Sequence, residues 1–481
     1  MENISQSIGQ ILDAFNTYIG TYALMILLVP VGILFTLMLR GIQITRLSHA
    51  VSIVSGKYDN PDDTGDINHF QALSAALSAT VGTGNIAGVA LAIYYGGPGA
   101  VFWLWITGFF GMATKFAECT LAQKYRKVHS DGSISGGPMY YIETGTKKLL
   151  GRAAKPTAIF CALGGIVCSI GTGNMAQSNS MADAVHQMVI PVAGGFRISH
   201  FATGLLLAVL VWLVIVGGIR RIGTVAEKLV PLMAGIYISG ALAVILMHID
   251  AIPGMFRLIL DGAFTGTGAT GGFIGSTFLL SMRYGIARGI FSNEAGQGSA
   301  PIAHAAAKTE YPVREGLVAL LEPLVDTLII CTLTAMVILV TGSWTSGEMG
   351  AAMTFTAFES TLGNFAGIPT GGAVVSIGLL LFAFTTAISW SYYGDRCVVY
   401  LFGRRYVTFY RYVYCAFVFI GAVWAKDLVW KFVDTAIVFM AVPNLIALII
   451  LAPEVKRMTR DYFKVNHEPF ASKSYNTNRD R

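Results

Sequence analysis

The sequence is poor in charge. Asp, Glu, Lys and Arg together make up 12% of its 481 residues, where an ordinary soluble domain carries about 25%. So few charges could not clothe the water-soluble globules that this length would imply at ~150 residues each. Paired cysteines are also missing. Cys119, Cys161, Cys168, Cys331, Cys397 and Cys415 are scattered, mostly inside apolar runs, with no CxxC among them. That spacing speaks against a disulfide framework or a metal site and for buried small hydrophobes. No HExxH, GxSxG, Walker motif or clustered Cys/His set appears, so an enzyme is not expected. The opening Met1-Glu2-Asn3 lacks a basic n-region, and no small-residue cleavage site follows the first apolar stretch. That stretch is therefore expected to remain as a span.

What the sequence does have is apolar length. Apolar residues reach 54% and gather in runs of about 18 or more, so the solvent is a lipid bilayer. Ile4, Ile8, Ile11 and Phe15 form one apolar stripe, predicting an interfacial amphipathic helix over 1–18. A first span lies within 19–41, at about 21–40. Further spans are expected at about 70–95, 100–122, 157–185, 201–218, 228–248, 274–306, 317–341, 372–402, 406–425 and 430–452. The fold class is thus an all-α membrane protein of about eleven transmembrane helices. With the C-terminal tail 453–481 in the cytoplasm, 26 of the 33 Lys and Arg fall in inner segments and only four in outer ones. This positive-inside bias sets the N-terminus outside. The net charge of +6 is then a topology signal, and no nucleic-acid partner is implied.

Two spans are poor helix material at mid-membrane. The second runs Ser78-Ala79-Thr80-Val81-Gly82-Thr83-Gly84-Asn85-Ile86-Ala87-Gly88, and the seventh Phe291-Ser292-Asn293-Glu294-Ala295-Gly296-Gln297-Gly298-Ser299-Ala300-Pro301. One glycine cluster often serves close helix packing. Two that mix Gly with Asn, Ser and Glu point to unwound backbone, whose free N–H and C=O groups need a ligand or a wet cavity. Breaks in two spans five apart are the pattern of an inverted-repeat transporter with a midplane site. Gly82, Gly84 and Gly88 imitate a dinucleotide fingerprint, but the strand which that motif requires is absent. Gly171 to Asn179 reads either as an inter-helix hydrogen-bond cluster or as part of a site. Thr385 and Thr386 read as an ion site or as hydroxyls bonded back to their own helix. Lys115 and Glu118, three apart, read as a mutual pair, and Glu322 and Asp326 as capping or snorkelling residues. Glu294 stands apart because it lies inside a break.

The stretches GTGNIAG (from Gly82), GGPGAVFWLW (from Gly96), FGMATKFAE (from Phe110), GGPMYYIE (from Gly136), FSNEAGQGS (from Phe291) and SYYGD (from Ser391) carry a resemblance. In this order, over most of residues 20–455, the chain resembles the sodium:alanine (amino acid:cation) symporters of bacteria and archaea. The resemblance implies a LeuT-type core of two inverted halves, 70–250 and 274–452, behind one extra N-terminal helix. It also implies Na⁺-driven uptake of alanine or glycine across the cytoplasmic membrane, by a monomer.

By the same likeness the substrate carboxylate meets Thr80, Thr83 and Gly84, with Asn85 beside them. Carbonyls of Ser78, Val81 and Phe382 with the hydroxyls of Thr385 and Thr386 form the Na⁺ site. Uncharged oxygens suit a hard monovalent cation that must leave again. Phe291, Ser292 and Asn293 face the substrate, Asn293 or Gln177 accepts from its ammonium, and Trp390 with Phe291 caps the pocket. Gln297 and Ser389 depart from the family pattern, which leaves alanine, glycine and serine all open as substrates. A proton-coupled transporter using Glu294 and a non-transporting amino-acid sensor remain as alternatives on the same fold.

Overall fold

In hydrocarbon every backbone N–H and C=O must pair within its own segment, so the apolar runs become helices. The computed structural model describes residues 10, 12, 14–187, 198–264, 278–365, 368–424 and 426–470. In chain order the main helices are α1 (Thr21–Met38), α2 (Leu47–Val54), α3 (His69–Thr80), α4 (Val89–Gly96), α5 (Ala100–Lys124) and α6 (Ala154–Ile170). Then come α7 (Ala176–Gln187), α8 (His200–Ile215), α9 (Gly218–Met247), α10 (Ile252–Phe264), α11 (Phe278–Asn293) and α12 (Ala300–His304). The remainder are α13 (Pro312–Val340), α14 (Ala351–Leu362), α15 (Thr370–Phe402), α16 (Val407–Val423) and α17 (Lys426–Tyr462). Two small hairpins, Lys127–Val128 with Ile134–Ser135 and Asn364–Phe365 with Ile368–Pro369, sit in connections.

Among the described residues, seven helices are long and apolar enough to cross a bilayer, and a bent pair built from α3 and α4 makes an eighth. The chain is a multi-pass membrane protein. α1 and α8 are apolar but shorter, and α11 ends at a break before α12. α17 does not stop near 452 but continues as helix through Glu454, Lys456 and Arg457 to Tyr462. The stripe expected over 1–18 lies largely outside the described residues; Phe15, its last member, stacks on Phe439 with ring centroids 5.7 Å apart.

Local signals account for the edges. Asn68 accepts from the Gln71 N–H at 2.8 Å while Gln71 Oε1 accepts from the Asn68 N–H at 3.3 Å, a capping box that starts α3. Pro312 opens α13, where its missing N–H costs nothing. α10 and α14 lie in connections not expected to be helical. In α10, Met255, Ile259 and Ala263 are buried on one face while Arg257 and Asp261 pair at 3.4 Å on the other, the pattern of a helix lying flat on a core. α3 packs on α9 and α15, α11 on α4 and α5, α13 on α5, and α17 on α1 and α6. Both interrupted helices are thereby enclosed by continuous ones.

Candidate functional site

The first interruption starts at Val81, whose φ of −75° and ψ of 91° leave the helical region. The chain bends by 53° before Gly84–Gly88 resumes as a π turn. The freed backbone groups find specific partners. Gly82 N–H donates to Asn85 Oδ1 at 2.8 Å, and Thr83 N–H to Gln177 Oε1 at 3.3 Å. Gln177 in turn donates through Nε2 to the Thr172 carbonyl at 3.1 Å, so α7 holds the break from outside.

One group of oxygens gathers on the α15 side. Thr386 Oγ1 lies 3.3 Å from the Val81 carbonyl and 2.9 Å from that of Phe382. Thr385 Oγ1 donates to the same Phe382 carbonyl at 3.0 Å. One turn earlier Ser78 donates to the Ala75 carbonyl at 2.9 Å, and its hydroxyl touches that of Ser389. Thr386 is thus both bonded back along its own helix and shared with the break. Gly82 has to be glycine here, since a Cβ would come within 2.7 Å of Thr386 Oγ1.

A second group gathers on the α11 and α13 side. Asn85 Nδ2 reaches Ser292 Oγ at 3.1 Å, Asp326 Oδ1 at 2.5 Å and Cys331 Sγ at 3.3 Å. Ser292 and Thr327 donate to the other Asp326 oxygen at 2.8 and 2.7 Å. Asp326 therefore neither caps nor snorkels; it is fully buried at the centre of this cluster. A π segment, Leu324–Cys331, turns it inward. The Phe291 ring lies so close to Gly84 that a Cβ would be 2.9 Å from Cδ1.

Several residues expected at the substrate are engaged with protein groups in this conformation. Thr80 Oγ1 bonds back to the Ala76 and Leu77 carbonyls of α3. Asn293 Oδ1 accepts from the Ala295 N–H at 3.0 Å, and its Nδ2 has no hydrogen-bond partner among the described residues. Gln177 Oε1 is occupied by Thr83. Thr83 Oγ1 and Thr172 Oγ1 are buried without a hydrogen-bond partner among the described residues, flanking the Gln177 contact. A buried hydroxyl left unpaired costs ~1–3 kcal/mol.

At the second interruption Glu294, Gly296 and Gly298 take φ values of 54°, 82° and 88°, unwinding the chain between α11 and α12. The break is tied down on all sides. Trp390 Nε1 donates to Glu294 Oε1 at 3.0 Å and Ser299 Oγ to Oε2 at 2.6 Å. Gly296 N–H donates to Glu118 Oε2 at 3.2 Å, and Asn444 Nδ2 bridges Glu118 Oε1 and the Gly296 carbonyl. Glu118 is thus not the partner of Lys115, whose Nζ donates to Glu322 Oε2 at 3.0 Å. Gln297 Nε2 donates to the Ile290 carbonyl at 2.9 Å. Trp390 is fully buried against the backbone of Gly173, where a Cβ would fall 2.1 Å from the ring. Asn174 and Asn179 donate to the Tyr414 and Gly421 carbonyls at 2.7 and 3.0 Å, so that cluster binds α16.

The chain matches a known group of proteins along nearly its whole length. A family model described as the sodium:alanine symporter family matches residues 5–476. The chain belongs to the sodium:alanine symporter family. Its relatives include a transporter of Haemophilus influenzae, 43% identical over 96% of this chain and 98% of that one. The sodium/alanine symporter AgcS of Methanococcus maripaludis is 41% identical over 95% and 97% of the two chains. A probable sodium/glutamine symporter, GlnT of Bacillus subtilis, is 36% identical over 95% and 91%. The family is one of transporters, not enzymes, and it couples amino-acid transport to sodium. Asn444 is the polar group of this centre that sequence reasoning passed over, and Asp326 and Cys331 were read only as a capping or snorkelling residue and as a buried small hydrophobe. Asn444 stands alone among apolar neighbours, and only tertiary contact reveals the role of all three.

Proposed function

We propose that this chain imports alanine or glycine together with Na⁺ by alternating access. The observation that carries the proposal is the oxygen group linking the first break to α15: the Val81 and Phe382 carbonyls with the Thr385 and Thr386 hydroxyls. These donors are uncharged, as a monovalent cargo cation that must be released requires. Ser78, one turn before the break, completes the set. Because the same oxygens join two helices, Na⁺ favours the conformation in which the neighbouring substrate site is formed. Each ligand then raises affinity for the other by the same factor.

The substrate carboxylate belongs at the N-terminal end of the helix that resumes at Gly84, with Thr83 Oγ1 as its hydroxyl donor. Thr80 and Asn293 join only after side-chain rotation; Asn85 and Ser292 orient the pocket through Asp326. Phe291 packed on Gly84 and Trp390 packed on Gly173 support a small substrate, alanine or glycine, over the glutamine named for the B. subtilis relative. The breaks head residues 70–250 and 274–452 in the same relative position, which supports a LeuT-type inverted repeat with one helix in front. The Lys and Arg distribution supports an inner-membrane orientation with the C-terminus cytoplasmic, and one copy supplies every proposed ligand.

Uptake of labelled alanine into proteoliposomes tests the reading. Accumulation is expected with an inward Na⁺ gradient, competed by glycine but not by glutamine. Binding without accumulation, or accumulation driven only by a proton gradient, would overturn it.

A further inference from the structure

Away from the transport site, two stretches of chain, each attached to one of the broken spans, are bonded to each other. One is the leader of α3, residues 59–68. The other is the connection 305–309, which follows α12 and the second break. Their backbones meet as a short parallel bridge between Ile67 and Ala307. Asp66 N–H donates to the Ala306 carbonyl at 2.8 Å, and Lys308 N–H to that of Ile67 at 2.7 Å. The approach is so close that a Cβ on Gly65 would lie 2.5 Å from the Lys308 backbone. From this junction the 12 residues of α3 reach ~18 Å to the first break.

Arg126, just beyond the end of α5, joins both stretches. Its Nη1 donates to the carbonyls of Ala305 and Ala307 at 3.1 and 2.7 Å. Its Nη2 donates to the Thr64 carbonyl at 2.8 Å and to that of Thr309 at 3.2 Å. Four carbonyls from two segments thus converge on one guanidinium, whose planar fork suits them where an ammonium would not. α12 ends at His304, and a helix leaves its last carbonyls without partners. The neighbouring ones are taken as well, His304 by Gln123 Nε2 and Ala306 by the Asp66 N–H. No carboxylate bonds to Arg126 among the described residues; Glu315, Asp63 and Asp66 act on it only from a distance. α5 is a continuous span packed on α11 and α13, so the guanidinium is carried by a fixed element while its acceptors lie on segments next to the breaks. Two ties accompany it at the surface, Lys308 Nζ on the Pro61 carbonyl at 3.0 Å and Arg220 on Asp66 at 3.3 Å.

We propose that Arg126 is the clasp of the inner gate. It holds residues 59–68 against 305–309 while the transport site is shut off from the cytoplasm, and its bond to Thr64 parts when α3 swings away to release substrate inward. The proposal rests on the alternating-access reading above. The bonds to Ala305, Ala307 and Thr309 stay within one connection; the bond to Thr64 is the one that makes opening depend on Arg126. Once the leader has moved, the Thr64 carbonyl and Nη2 both find water, so the clasp biases the equilibrium without locking it. Sodium at Val81 and Thr386 draws α3 toward α15 and therefore favours the clasped arrangement, which couples the gate to the ligands.

The test is a pulsed EPR distance measurement on the full-length protein in lipid nanodiscs. Spin labels go on Asp62→Cys and Glu310→Cys, exposed positions on the two stretches, with Cys415, the native thiol that is not buried, replaced by alanine. Without sodium or alanine, Arg126→Gln should raise the ratio of separated to joined molecules at least tenfold. Adding Na⁺ with alanine should bring the joined distance back. Gly65→Ala forces the same two backbones apart with Arg126 untouched and should give the same longer distance. A ratio within twofold of the original in Arg126→Gln overturns the proposal, as does a separation that Na⁺ and alanine leave unchanged, the sign of mere local loosening. So does an unmoved distance in Gly65→Ala, which keeps the test decisive if the Arg126 variant fails to fold. Na⁺-driven alanine uptake by the unmodified protein is measured in parallel. Its absence removes the symport reading, whereas intact uptake with unmoved distances removes only the clasp.

Discussion

Replacing Thr386 by valine removes one hydroxyl and keeps the side-chain shape. In the protein without sodium the loss is small, because Oγ1 makes one ordinary bond to the Phe382 carbonyl at 2.9 Å and a longer one to Val81 at 3.3 Å. A net cost of about 0.5–1.5 kcal/mol is expected, which leaves the fold intact. With sodium bound the hydroxyl faces a cation, and such charge-assisted contacts contribute about 1.5–3 kcal/mol. At tenfold per ~1.4 kcal/mol, the Na⁺ concentration giving half-maximal alanine uptake should rise about 10- to 150-fold. Linkage adds a second readout: the apparent affinity for alanine at low sodium should fall, and should recover as sodium is raised. Proteoliposome uptake over a sodium series measures both. A half-maximal sodium concentration within twofold of the unmodified protein would refute the assignment of the α15 oxygens to the ion.

Three further outcomes are expected. Asn85→Ala strips the Gly82 N–H of its acceptor and Asp326 of a donor, so alanine KM should rise by at least ~30-fold, equivalent to ~2 kcal/mol; an unchanged KM in uptake assays would dissociate the Asp326 cluster from the substrate. Lys115→Met leaves Glu322 facing His304 alone in the interior, a loss of about 3–5 kcal/mol that should appear as a clear drop in the thermal midpoint of the detergent-solubilised protein. A midpoint within two or three degrees of the original would count against it. His49, outside the spans, accepts or donates at 2.8 Å with the Tyr462 hydroxyl, and its pKa is held down by burial and then by the nearby His467, Arg314 and Arg46. A depressed histidine contributes stability above its unfolded value near 6.5 and loses it as pH falls through the folded one. Proteolysis beyond Tyr462 should therefore accelerate as pH drops from about 7.5 to 5.5, and His49→Gln should remove that dependence.

Much of the architecture was legible because bilayer physics leaves few choices. Apolar runs had to become helices, and the glycine-, asparagine- and serine-rich stretches at 78–88 and 291–301 had to mark departures from them. The residues around Val81, Thr385 and Thr386 do come together, since the two oxygen-bearing segments face each other across one break. What pattern reasoning could not deliver was the pairing of charges. Lys115 and Glu118 sit on neighbouring turns and invite pairing, yet Lys115 takes Glu322, 207 residues away. Glu118 is needed instead at the unwound Gly296 N–H. Asp326 looked peripheral because it follows Pro323 near the head of a long helix, and a π segment turns it to the centre. Asn293 and Thr80, expected beside the substrate, also bond to nearby backbone, a choice between local and distant partners that spacing alone leaves undecided. The amphipathic α10 and α14 escaped notice because no bilayer-length run announces them.

The length of α17 has a mechanical consequence. Its 37 residues make a rod of about 55 Å, and Asn444, at its midpoint, is fastened to Glu118 and to the Gly296 carbonyl of the second break. Its far end is held by the arginine of Arg46 stacked over Phe463 at 4.0 Å and by the Phe470 N–H on the Lys57 carbonyl. Pro443 and Pro453 each remove a backbone donor from the rod, so the helix has a built-in place to bend right beside the Asn444 contacts. A tilt of ~10° about Asn444 swings Tyr462 by ~5 Å, the length of one helical turn. Under the proposed alternating access, a small movement at the second break would thus become a displacement that a pair of spectroscopic labels near Tyr462 can read.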